Sequence, residues 1–381
     1  MRVLFSAAPG EGHLRPLLPL ARVARAAGHD ALISGGAGLA GIIRDSGFRH
    51  AVVGPPSLSV VRAAIPGIAD LSGRRRALQM LRLGFCGPVA TGMADDLLGL
   101  FATWRPDVIV REDMDLGAWI AAERNGIPHV TIQVTAFRRR FWDAIREPIA
   151  EVRSARDLPA MATYDELLGR AFFTTRPATL RTPSGPYPAA TRELRPVADD
   201  RRPGDPIGDP FRHEDSRPRI AITLGTLNHE HVSLMRALID GAAATGASVI
   251  VAAGTDPAIV GSVPDGVDVR GYIPISLLVE HADIIAFHGG SGTMLAAAAA
   301  GTPMLMTPIA ADHLDNAEVC AAAGIARAID LEAVSADAVA TAIDAIIGDA
   351  SMRVRSAAVA AEIAAMPGPE AALRVIEDVA G

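Results

Sequence analysis

Twice in this chain short aliphatic runs alternate with alanine-rich stretches of helical length, and that rhythm limits the fold more than any other feature. RVLFSA, LLPLARVARAAG and HDALISG follow one another from residue 2, and RIAITLG, SLMRALIDGAAATG and ASVIVAAG repeat the order from residue 219. Runs of these lengths in this alternation build βαβ units and parallel sheets. Between the two series, DDRRPGDPIGDPFRHEDSRP is dense in proline and charge and reads as a linker. The expected architecture is α/β: two Rossmann-like domains, residues 1–195 and 218–350, joined by a linker at 196–217, with parallel sheets facing across a cleft. Residues 351–381 read as two terminal helices packing back towards the N-terminal domain. A length of 381 residues suits two cores of ordinary size.

Two strand-to-helix turns carry the chemistry. In Phe287-His288-Gly289-Gly290-Ser291-Gly292-Thr293 the aliphatic run DIIAF ends, and a helix is expected from about Ser291. Three glycines let the backbone approach a ligand, and the helix start offers free N–H groups and a positive dipole end. That is an anion site, best suited to a diphosphate, to which His288 adds a donor. The Ser291 and Thr293 hydroxyls can bond phosphate or cap the helix. Further on, TPIAADHLDNAEVC gathers Asp312, His313 and Asn316 at another strand end, where polar groups point into the ligand crevice of a parallel sheet. A nucleotide-sugar suits the two sites together.

The other turn, Pro9-Gly10-Glu11-Gly12-His13-Leu14-Arg15-Pro16, follows the first strand and opens a long helix. A helix N-terminus disfavours the imidazolium, which keeps His13 neutral and available as a base. A carboxylate partner would oppose that shift and fix the tautomer, and Arg111-Glu112-Asp113-Met114-Asp115 offers candidates at the end of the DVIV strand. Two further matches weigh less. Gly36-Ala37-Gly38-Leu39-Ala40-Gly41 fits GxGxxG but follows the second strand, and no acidic residue ends a strand where a ribose would need one. Asp113-Met114-Asp115 fits DxD, a metal-and-diphosphate motif of a different fold, yet nothing is spaced to complete a metal site. P-loop, serine-hydrolase and zincin signatures are missing from the sequence.

Residues 55–100 and 136–176 lack strand rhythm and hold many of the large side chains, among them Met80, Phe85, Phe137, Phe141 and Trp142. Singly each reads as core; together, with Gly12, they are the candidate lining of an apolar acceptor pocket. A net charge of −7 is unpromising for a nucleic-acid partner. Cys86 and Cys320 stand far apart without metal spacing, which fits a reduced cytoplasm. The first apolar run stops at Pro9, too short for a signal segment. The uncharged stretch 289–311 is punctuated by Gly301, Pro303 and Pro308, so no membrane partner is expected.

GHLRP, HGGSGT, the GTP turn and ADHLDNA, at these separations, resemble bacterial glycosyltransferases of glycosyltransferase family 1, and most of all those that attach deoxysugars to polyketide, macrolide, enediyne or aromatic aglycones. The likeness spans nearly the whole chain. It implies a GT-B fold, a TDP- or UDP-sugar co-substrate, a small apolar acceptor, inversion at the anomeric carbon, and no metal or other cofactor. A homodimer is compatible with it. By this resemblance His13 is the catalytic base and Glu112 its partner, with Asp113 the substitute. The donor diphosphate falls to His288, Gly290, Ser291, Gly292, Thr293 and Thr226. The base-binding segment falls on Tyr272 and Ile273, and the sugar pair on Asp312 and His313, where the family usually has aspartate and glutamine. The competing expectations are a nucleotide-sugar epimerase or hydrolase of the same fold, and a catalytically silent partner protein.

Overall fold

The structure, a computed structural model, describes residues 1–136, 139–183, 187–188, 190–201, 204–205, 208–211, 216–225, 231–254 and 257–381, without the side chains of 139–142. The chain divides into two compact units. One comprises 1–177, 181–199 and 366–381; the other comprises 178–180 and 200–365.

The first unit is built on strands β1 (Arg2–Ser6), β2 (Asp30–Gly35), β3 (Arg49–Val52), β4 (Val108–Glu112), β5 (His129–Ile132), β6 (Ala171–Thr174) and β7 (Thr191–Glu193). They pair in the order β3-β2-β1-β4-β5-β6-β7, and every pairing is parallel. The chain winds outward from β1 to one edge and then returns to build the other side from β4. That reversal leaves a crevice at the carboxyl ends of β1 and β4, the usual ligand position in such sheets. The central strands are apolar on both faces because helices cover both. On one side Leu4 and Ile109 meet Met93, Leu97 and Trp119. On the other, Val3, Phe5 and Val110 meet Leu18 and Ala21 of the Leu18–Ala26 helix, together with Leu373 and Ile376.

The second unit repeats the plan. Strands β8 (Arg219–Thr223), β9 (Ser248–Ala252), β10 (Val267–Arg270), β11 (Ile284–Phe287), β12 (Met304–Met306) and β13 (Ala326–Ala328) pair as β10-β9-β8-β11-β12-β13, all parallel. Here the reversal lies between β8 and β11.

One detail differs from the sequence expectation. Only the last of the two terminal helices, Pro369–Ala380, belongs to the first unit; Ala350–Ala365 lies in the second, where it packs on Ser291–Ala300. Pro369–Ala380 is strongly amphipathic whereas the alanine-rich Ala350–Ala365 has only a weak apolar stripe, and neither pattern says which core it covers. The passage between units falls between Asp199 and Asp200, within the expected linker. Asp199 pairs with Arg22 of the first unit at 2.7 Å, while the Asp200 carboxylate accepts from the Ser276 N–H and hydroxyl of the second at 3.0 and 2.7 Å. The GxGxxG match serves packing: a Cβ on Gly38 would sit 2.8 Å from the Pro56 carbonyl oxygen, so these glycines admit neighbouring backbone. Among the described residues no helix is long and apolar enough to cross a membrane.

Candidate active site

His13 and Glu112 meet because β1 and β4 are neighbours. Ser6 pairs with Arg111, so the residues that follow β1 emerge beside the end of β4. His13 lies in the short helix Glu11–Leu14, and its Nδ1 is 3.1 Å from Oε2 of Glu112. The imidazole is 15% exposed and the carboxylate fully buried, so the ring keeps a solvent-facing edge while its partner is sealed. Glu112 is fixed by backbone donors: the Ala8 N–H to Oε1 at 3.0 Å and the Met114 N–H to Oε2 at 2.7 Å. A carboxylate against Nδ1 holds the proton there and leaves the Nε2 lone pair to act as base.

Asp113 turns the other way. Its oxygens accept from the Val134 N–H at 3.2 Å and the Thr135 hydroxyl at 2.9 Å, which ties the end of β4 to the loop after β5. Burial first, and the Glu112 charge second, push this carboxyl up to about 7. Asp115 caps the helix Leu116–Arg124 through the Ala118 N–H at 2.9 Å, and burial followed by Glu112 pushes it up to about 6. Both aspartates of the DxD match are thus buried and committed to structure.

Sequence reasoning missed Arg111, which looks like an exposed strand-end charge. Its guanidinium is wholly buried and donates to the carbonyls of Glu112 at 3.0 Å, Asp115 at 3.3 Å and Leu167. It gathers the loop that carries Glu112. Burial lowers its pKa, which the nearby Asp115, Glu112 and Asp113 oppose.

Of the apolar candidates, Phe85 lies beside His13 with ring centroids 5.6 Å apart. Its segment, Met80–Val89, is wound as a π-helix broken at Gly87 before Pro88. Met80 is half-buried against the same core, and Gly12 is exposed, with no protein atom within 4 Å of an added Cβ. Phe137 lies outside the described residues, as do the side chains of Phe141 and Trp142.

In the second unit the Ser291–Ala300 helix starts at the end of β11, beside the end of β8, with Gly290 as its extended N-cap. The His288 ring fills space that two glycines leave: an added Cβ would lie 2.9 Å from its Cε1 at Gly225 and 2.6 Å from its Nε2 at Gly290. The ring keeps an exposed edge while Nδ1 is enclosed. Burial, with His313 and His231 adding to it, holds His288 well below the ordinary histidine range, and the Thr223 carbonyl opposes the shift. His288 is therefore a neutral dipole beside the start of that helix. Its expected companion Thr226 lies outside the described residues. Gly292 is exposed and Thr293 half-buried in the helix's first turn.

Asp312 and His313 follow β12 and stand against that turn. The Ser291 hydroxyl, expected at phosphate or as a cap, donates to Oδ2 of Asp312 at 2.6 Å. His313 packs edge-on to His288, centroids 4.7 Å apart, and its Nδ1 accepts the Ala310 N–H at 3.2 Å. In the neutral ring the proton therefore sits on Nε2. Burial lowers the His313 pKa, with Asp312 opposing. Ala311, immediately before Asp312, has φ 51°, a left-handed conformation uncommon for alanine. Tyr272 donates its hydroxyl to the Asp200 carbonyl, and Ile273 is buried. Asp200 was not anticipated, because its partners come from a helix far along the chain.

Residues 236–379 match the family described as erythromycin biosynthesis protein CIII-like, C-terminal domain. The chain is similar to the L-demethylnoviosyl transferase of Streptomyces niveus, 29% identical over 97% of this chain and 96% of that protein. It is also similar to the 3-alpha-mycarosylerythronolide B desosaminyl transferase of Saccharopolyspora erythraea, 23% identical over 100% of this chain and 98% of the relative. Among solved structures it resembles the Streptomyces sp. SF2575 glycosyltransferase SsfS6, complexed with thymidine diphosphate, with a TM-score of 0.81 and 25% identity over 99% of both chains.

Proposed function

We propose, from the premise that this chain is a GT-B glycosyltransferase with an erythromycin biosynthesis protein CIII-like C-terminal domain, that it moves a deoxysugar from a TDP- or UDP-sugar to a hydroxyl of an apolar natural-product aglycone. The thymidine diphosphate held by SsfS6 and the sugars named in the relatives' activities support this donor class.

The observation that carries the reading is the His13–Glu112 pair, with Nδ1 held by a buried carboxylate at 3.1 Å. Nε2 takes the proton of the acceptor hydroxyl as its oxygen bonds to the sugar C1, and Glu112 stabilises the imidazolium that forms. The bond from C1 to the diphosphate breaks with its electron pair leaving on phosphate, so attack from the opposite face inverts the anomeric centre. The N–H groups at the start of Ser291–Ala300 and the neutral His288 meet the departing charge. No metal is part of this mechanism.

His13→Ala should lower turnover by about 10²–10⁴-fold, measured by steady-state kinetics, with TDP affinity unchanged because the donor residues lie in the other unit. A parallel loss of TDP binding would remove His13 from the role of base.

A further inference from the structure

We propose that the Ser291 hydroxyl serves the donor sugar rather than the diphosphate, by holding Asp312 in place, and that Asn316 is the positioning residue that sets this arrangement. The inference rests on the donor-site reading above. Asn316 is fully buried in the helix His313–Ala322. Its Nδ2 donates to the Gly289 carbonyl at 2.8 Å and to Oγ of Ser291 at 3.0 Å. A carbonyl only accepts, so the atom facing Gly289 is the amide nitrogen, and both of its protons are spent on these two bonds. Oγ of Ser291 therefore receives a proton from Asn316 and directs its own to Oδ2 of Asp312 at 2.6 Å. The direction of each bond in the chain Asn316, Ser291, Asp312 is fixed by its ends.

Two consequences separate along the donor molecule. Through Gly289, which has φ 92°, Asn316 pins the turn that shapes the anion site. Through Ser291 it orients a carboxylate at the next strand end, where a sugar joined to the diphosphate would be met. The phosphate is left with the backbone N–H of Ser291, which no side-chain change removes.

The test compares Kd for TDP and for TDP-L-rhamnose by calorimetry. Ser291→Ala should leave TDP affinity within about twofold and weaken TDP-L-rhamnose about tenfold, the scale of a lost hydrogen bond to a charged group. Ser291→Thr, which keeps the hydroxyl, should restore the sugar-dependent part. Asn316→Asp cannot donate to Gly289 and should weaken both ligands. If Ser291→Ala weakens TDP as much as TDP-L-rhamnose, or leaves the ratio of the two unchanged, the proposal is overturned. If the wild-type protein binds neither TDP nor UDP, the donor-site reading itself fails.

Discussion

Glu112 and Asp113 are adjacent acids with opposite assignments. Glu112→Gln should cut turnover by about two to four orders of magnitude, as expected when a base loses the group that fixes its tautomer. Asp113→Asn should cost less than about tenfold, since that side chain faces Val134 and Thr135. Steady-state rates at saturating donor check the ranking, and its reversal would move the partner of His13 by one residue. The same pair sets a pH dependence. Burial raises the Asp113 pKa to about 7, so folding favours its protonated form. That contribution is complete below the ordinary carboxylate range and is lost as pH rises towards 7. Urea unfolding should therefore show the stability difference moving in favour of Asp113→Asn between about pH 5 and about pH 8. A difference that ignores pH would mean Asp113 ionises normally. Sequence placed both acids at a strand end, but which one faces His13 depends on the pairing of β4 with β1. That pairing is a choice between distant segments that no local pattern records. Arg111 was hidden for a related reason: its partners are backbone carbonyls, which leave no mark in a sequence.

At the scale of one element, the start of the Ser291–Ala300 helix was the most legible part of the molecule. A glycine run between an aliphatic strand and an alanine-rich helix marks a close backbone approach by composition alone. Asn316, expected to point into the ligand crevice, is instead fully buried with its amide spent on Gly289 and Ser291, partners that no local pattern records. Two alanine substitutions separate what the glycines do. Gly290→Ala drives a Cβ to 2.6 Å from His288 Nε2, so the ring must move; it should lower both the melting temperature and TDP affinity. Gly292→Ala meets no protein atom within 4 Å, so the unliganded protein should melt at the wild-type temperature or above. TDP affinity should nevertheless fall about tenfold if a phosphate occupies that space, a loss on the scale of disturbing one charge-assisted contact. Wild-type affinity for TDP in Gly292→Ala would move the diphosphate away from the helix start.

Across the whole molecule, the alternating rhythm disclosed two parallel sheets but not their strand orders, and it assigned the terminal helices together when the two units share them. Ile376, fully buried against the first unit's core, tests that division. Ile376→Ala should cost about 2–5 kcal/mol of stability, read by urea unfolding, and leave TDP affinity intact. A loss of TDP binding would mean that the second unit depends on this helix. Metal use is also a question for the entire chain, since the DxD aspartates and the residues proposed for the diphosphate belong to different units. Full activity should survive exhaustive EDTA treatment, and added manganese should change the rate less than about twofold, if backbone N–H groups and His288 suffice for the leaving group. Restoration by manganese after complete loss would reopen the donor assignment.

The return of residues 366–381 to the first unit also has a bearing on how the protein is made. The sheet translated first is the one completed last: every residue of the second unit has been translated before Leu373 and Ile376 exist to cover the face of the Leu18–Ala26 helix. A product that stops at residue 365 carries a finished second unit and an unfinished first unit with a bare apolar stripe. To chaperones and proteases such a chain is an incomplete one, so the last helix decides whether the first unit is treated as folded.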